Sequence, residues 1–231
     1  MADRGKNRAL PRLWRILAVA AIHAAEISWA AWYMYRLRER GQLLGVWSAS
    51  ADPLGLLGQN LVESLVPILL FLSFFILLKK DFADAMFLRL RGKARRIAAA
   101  ALSAVLLGIM AWSLVKKTDR YAVVYALFYY LVLIAFAEEF VTLGVCVWLL
   151  RDEDWPLRYL LPNVCFALIH LFSHADWGTI TLSYAMQFLF TQVPSLVVTG
   201  CMMQLLKEKS GTIWLPVLLH AIMDYAAVLK Y

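Results

Sequence analysis

The stretch LIAFAEEFVTLGV, Leu133 to Val145, sets two adjacent carboxylates, Glu138 and Glu139, in an otherwise apolar run. A charge at membrane depth costs at least about 3 kcal/mol, so such groups face a protein-lined cavity and serve chemistry or transport there. His170, His220 and Asp224 stand in similar apolar surroundings further along the chain. A buried glutamate, two histidines and a further acid are a set suited to activating water. The glutamate can take a proton from water and return it to a leaving amine. One histidine can share that water, and the other can donate to the oxyanion of a tetrahedral intermediate if Asp224 orients its ring. Successive helical residues diverge by about 100°. Glu138 and Glu139 are therefore expected to point to different places, one catalytic and one supporting.

Other chemistries lack their residues. There is no H-E-x-x-H metalloprotease helix and no G-x-S-x-G elbow. An aspartyl-type membrane protease would need two intramembrane aspartates, and only Asp224 qualifies. Cys146, Cys165 and Cys201 fall inside apolar runs without paired spacing, which suggests neither disulfides nor a thiolate metal site. The alternative within the enzyme class is a metal site built from His170, His174 and Glu138. His174, four residues beyond His170, is read first as a solvent-edge residue. Glu26 and Glu63 are read as interfacial or helix-pairing groups.

The elements that must position these groups follow from hydropathy. The chain has 231 residues, 62% hydrophobic and 17% charged. The expectation is an all-α, polytopic transmembrane helical bundle with about seven spans, since a crossing needs about 20 apolar residues. The candidate stretches are Leu13 to Tyr35, Leu54 to Leu78, Ile97 to Val115, Tyr121 to Leu150, Leu157 to Ser173, Thr179 to Leu206 and Thr212 to Leu229. The first is too long for a signal-peptide core and holds His23 and Glu26, so it reads as a retained helix. The net charge of +7 sits in short loops, which speaks for topology and against nucleic acid as a partner. The N-terminus and alternate loops hold about 16 Lys and Arg against about 7 on the other side, which puts the N-terminus in the cytoplasm. Pro156 and Pro162 fall near the start of the fifth stretch, and Pro194 and Pro216 within later ones, as candidate kinks. One structural unit is expected, with residues 1–120 supplying three N-terminal spans and residues 121–231 a catalytic core of four.

Depth gives a test of whether the polar groups meet. Counted from the cytoplasmic ends, Glu138, His170 and His220 lie about 12, 13 and 9 residues in, a rise of roughly 14 to 20 Å. His220 and Asp224 are four apart and share a helix face.

The order EEFVTLG, then FALIH, then SGTIWLPVLLHAIMDY resembles the CPBP family of intramembrane endopeptidases, which includes the CAAX prenyl (Ras-converting) protease and bacterial Abi proteins. The family pattern is E-E-x-x-x-R, F-x-x-x-H and H-x-x-x-N/D. It is met here by Glu138 and Glu139, by Phe166 and His170, and by His220 and Asp224, over roughly Phe136 to Val228. Phe188 to Gln192, FLFTQ, stands where the family has a looser F-x-x-x-N element. The resemblance implies a glutamate-type protease without metal or other cofactor. In it Glu138 and His170 activate water, and His220 and Asp224 form the oxyanion site. Its substrate would be a membrane-embedded or lipidated peptide, cut near its C-terminus in the lipid bilayer. One departure stands out: the motif arginine is Leu143, so the second carboxylate lacks its usual cation. That departure supports a competing reading, a non-catalytic adaptor or immunity protein of the same fold. A proton-coupled transporter would also use buried acids, but no inverted repeat is visible.

Overall fold

The structure, a computed structural model, describes residues 11–173 and 180–226. Its principal helices are α1 (Arg12–Glu39), α2 (Pro53–Glu63), α3 (Leu65–Leu78), α4 (Lys93–Lys116), α5 (Arg120–Leu149), α6 (Trp155–Ser173), α7 (Leu182–Ser210) and α8 (Trp214–Tyr225), and the described residues contain no strand. The protein is a polytopic helical bundle. Among the described residues α1, α4, α5 and α7 are each long and apolar enough to cross a membrane. The segments Pro53–Glu63 and Leu65–Ala85, bent by 63° where Ser64 separates them, add a fifth crossing if they act as one. The two remaining predicted spans form shorter elements. The 19 residues of α6 include Arg158, Asn163 and His170 in their run. The 12 residues of α8 rise about 18 Å, short of a core about 30 Å thick. The rest of that last predicted stretch lies outside the described residues.

Sequence explains where several helices begin and end. Asp52 precedes Pro53, which suits the first helical position, and accepts from the Gly55 amide at 2.9 Å. Asp119 caps α5 through the Ala122 amide at 2.9 Å, and Thr181 caps α7 through the Tyr184 amide at 3.1 Å. The Ala122 amide holds the Asp119 carboxyl below its ordinary range. At the other end of α7, Gly211 takes a φ of 65°, and its amide returns to the Lys207 carbonyl at 2.7 Å.

The centre of the bundle is α5. Of its apolar window 61% is buried, against 17% for α1 and α4 and 11% for α7. It is not α-helical throughout: Tyr129–Phe136 and Phe140–Cys146 are π-helical, and between them lies one α-helical turn, Ala137–Glu139. A π turn closes i→i+5 bonds and is concentrated at functional sites. The glutamate pair occupies the α turn between two wider ones.

Helix α8 is seated on α4 and α5 by Ile213, Val217, Ala221 and Tyr225, packed with Leu106, Ala126, Ala135 and Leu143. In lipid such a seat depends on close packing and buried hydrogen bonds, because the hydrophobic effect does not distinguish one helix from the tails. Tyr225 donates to the Val123 carbonyl at 2.9 Å. At the other end the Ile213 amide and Trp214 Nε1 donate to the carbonyls of Phe87 and Leu88, at 2.9 and 2.7 Å. These contacts fix both ends of the short helix that carries His220.

Pro194 lies inside α7 as expected, but two other prolines differ from expectation. Pro216 falls in the first turn of α8, where its missing amide costs nothing, while Pro162 lies inside α6. Pro162 leaves the Arg158 carbonyl without its helical donor, and Gln204 of α7 supplies one through Nε2 at 3.3 Å. Beside it Asn163, fully buried, donates to the Tyr159 carbonyl at 2.7 Å and to Gln204 Oε1 at 3.1 Å. Gly200 lets the helices approach: a Cβ there would stand 2.2 Å from Asn163 Oδ1. This polar seam locks α6 to α7 about two turns before His170.

Candidate active site

Helices α1, α2, α3, α5, α6, α7 and α8 border a cavity of about 540 Å³, whose lining includes Glu138, Glu139, His170, His220 and Asp224. At its centre is the His220 ring. Glu139 Oε1 accepts from Nδ1 at 2.8 Å, Asp224 Oδ2 lies 3.3 Å from Nε2, and Glu138 Oε2 lies 3.7 Å from the same nitrogen. Three carboxylates therefore converge on one imidazole.

The adjacent glutamates, expected to point to different places, take opposite edges of one ring. Their side chains do diverge, but the imidazole lies between them with a nitrogen on each edge, so both reach it. Asp224, expected to orient the ring, is not its nearest partner. Glu139 makes the closest contact to the ring, and Asp224, one helical turn away on α8, is the looser partner. Glu139 is buried, whereas Glu138 and Asp224 are partly open to the cavity.

His170 lines the same cavity from α6. Its Nδ1 bonds to the Phe166 carbonyl at 2.8 Å, and its ring meets the Phe166 ring edge-on at 4.4 Å. A carbonyl can only accept, so Nδ1 carries the hydrogen. In the neutral ring Nε2 is then an acceptor, able to receive a hydrogen bond from water.

Some expectations fall elsewhere. Phe188 and Gln192 of FLFTQ line a separate hollow on α7 with Tyr184, Gln187 and Thr191. His174, the distinguishing ligand of the metal alternative, lies outside the described residues. Among the described residues no three His, Cys, Asp or Glu side chains are arranged to hold a metal ion. Glu26 and Glu63, read from sequence as interfacial or helix-pairing groups, both line the central cavity. Behind Glu26, buried His23 lies 3.6 Å from its carboxylate and 3.7 Å from Cys146 Sγ. The signal for both acids was their place in apolar runs, but which helices would close around them depends on long-range packing.

From its fold and its polar centre, this is a helical membrane protein with a carboxylate–histidine cluster in a cavity between its helices. Residues 120–226 match the Rce1-like family, type II CAAX prenyl endopeptidase Rce1-like. The match runs from the start of α5 past the end of α8 and includes Glu138, Glu139, His170, His220 and Asp224. The matched family is the one its motifs resemble, and it is a family of proteases. Neither a curated protein nor a solved structure matches the chain.

Proposed function

We propose that the protein is an intramembrane endopeptidase of the glutamate type, cutting a membrane-anchored, lipidated peptide near its C-terminus. The observation that carries this reading is the placement of His220. Glu139 holds Nδ1 at 2.8 Å while Nε2 faces Glu138 and Asp224 at 3.7 and 3.3 Å inside the cavity. A ring held on one edge by a carboxylate and presented on the other to reacting groups is the logic of an oriented histidine.

In this mechanism Glu138 takes a proton from a water that also donates to His170 Nε2. The resulting hydroxide attacks the scissile carbonyl carbon, and the oxyanion accepts from Nε2–H of the protonated His220 ring. The C–N bond then breaks, and Glu138 returns its proton to the leaving amine. Glu139 and Asp224 hold the His220 ring. Leu133, Ile134, Leu196, Met203 and Met223 line the cavity and give it apolar walls suited to an acyl or prenyl chain. The basic loop at residues 79–96 supports a cytoplasmic N-terminus, and with that orientation the substrate's peptide end would enter from the cytoplasmic side.

The test is mass spectrometry of membrane peptides with wild-type protein and with Glu138→Gln, followed by turnover of the peptide found. The variant is expected to fold and to lose about 10²- to 10⁴-fold in rate. Wild-type cleavage by Glu138→Gln would refute the mechanism. A second reading, a non-catalytic relative, is favoured by the missing cation at Leu143 and is removed by Glu138-dependent turnover.

A further inference from the structure

Lys207 of α7 is 1% exposed. It stands three residues before the end of its helix, where a lysine ordinarily extends its stem and keeps the ammonium in water or at the headgroups. Here the side chain turns inward. Its Nζ donates to the Leu143 carbonyl at 2.7 Å and lies 4.5 Å from the centre of the Phe87 ring. A buried ammonium is costly unless other groups compensate it, and a carbonyl with an aromatic face does so in part.

The receiving side is also specialised. Phe87 has a φ of 56°, a left-handed backbone rarely adopted by a bulky residue, and its ring lies beneath the amine. Leu143 lies within the π-helical stretch Phe140–Cys146, four residues beyond Glu139 on the same helix. The buried cation of α7 is thus bound to the backbone of the segment that follows the glutamates. It is also bound at the position where the motif expects a cation from α5 and the sequence has leucine.

We propose that Lys207 is a positioning residue for the site. Through the Leu143 carbonyl it holds the Phe140–Cys146 stretch in register, and so sets Glu139 against His220. It supplies from α7 the positive charge absent from α5. Lys207 touches neither substrate nor reacting atoms. The inference rests on the hydrolase reading for its consequence in turnover, but not for its consequence in structure.

Two measurements test it on the full chain in lipid nanodiscs: amide hydrogen exchange over residues 140–147, and kcat and KM for the peptide identified with wild type. In Lys207→Met, exchange over 140–147 is expected to rise about tenfold, with kcat down about tenfold or more and KM within about threefold. Lys207→Arg, which keeps a buried cation, is expected to stay near wild type in both. Should Lys207→Met fail to fold, Lys207→Leu, which likewise offers the Leu143 carbonyl no donor, is read in its place with the same expectation. Unchanged exchange in the neutral variant overturns the proposal whatever the enzyme does. So does a neutral variant with wild-type turnover when Glu138→Gln is inactive, and that result leaves the hydrolase reading standing. Absence of Glu138-dependent turnover in wild type refutes the hydrolase reading instead, and exchange still decides the role of Lys207.

Discussion

The contact between Glu139 and His220 predicts a graded loss that separates the two glutamates. Glu139→Gln keeps the shape of the side chain and lets its amide oxygen accept from Nδ1, but removes the charge. A hydrogen bond to a charged group contributes about 1.5 to 3 kcal/mol, and a neutral one about 1 kcal/mol. The difference at the 2.8 Å contact is then about 0.5 to 2 kcal/mol, or roughly 2- to 30-fold in rate at about 1.4 kcal/mol per tenfold. If the amide instead turns its NH₂ toward Nδ1, that nitrogen must accept and the ring keeps its hydrogen on Nε2, so the donor to the oxyanion survives without its positive charge and the loss stays between the same limits. Glu139→Ala leaves the nitrogen without a partner and is expected to fall between these limits. The assay is steady-state turnover of the peptide identified with wild type, with kcat and KM separated. A loss confined to kcat fits an orienting group, because the ring acts on the transition state and not on substrate binding. Wild-type kcat in Glu139→Ala, or a loss confined to KM, would refute the role given to the 2.8 Å contact.

Two further outcomes are expected. Hydrolysis by purified protein should survive strong chelators; complete inactivation restored by stoichiometric Zn would instead install His170, His174 and Glu138 as ligands. Gly200→Ala puts a methyl group 2.2 Å from Asn163 Oδ1, so it should displace the seam between α6 and α7, lower the thermal midpoint in detergent by several degrees and reduce turnover through His170; an unchanged midpoint would show that the seam yields without cost.

The apolar runs made the helices legible, and the ionisable residues within them marked α5, α6 and α8 as the candidate elements for a site. Counting depth put Glu138 and His220 at one level, and they stand 3.7 Å apart. What sequence could not supply was the third dimension of that contact. Two adjacent residues on a helix point apart, and only a residue on another helix can make them converge; nothing near Glu138 says that an imidazole will fill the angle. The π-helical stretches have no signature in YYLVLIAF or FVTLGVC, which read as ordinary apolar helix. The bend at Ser64 divides a run whose composition is continuous. Lys207 counts from sequence as one more loop charge, and its inward turn depends on a carbonyl and an aromatic ring far away in the chain.

The geometry also explains how an apolar helix tolerates two neighbouring carboxylates. A glutamate in lipid would be excluded at a cost that no packing recovers, but neither Glu138 nor Glu139 faces lipid: one borders the cavity and the other is buried against His220. The same histidine serves both, and this binds the requirements of stability and chemistry together. Removing His220 would leave Glu139 buried without its closest partner, so the imidazole belongs to the structure of α5 as much as to any reaction. Its helix is correspondingly well held, with carbonyls of the loop before α4 fixing the start of α8 and Tyr225 fixing its end. That loop also contributes Phe87, whose carbonyl accepts from Ile213 and whose ring lies beneath Lys207. One short segment thus fastens His220 from one side and the glutamate helix from the other, so displacement of that loop would move both halves of the cluster together.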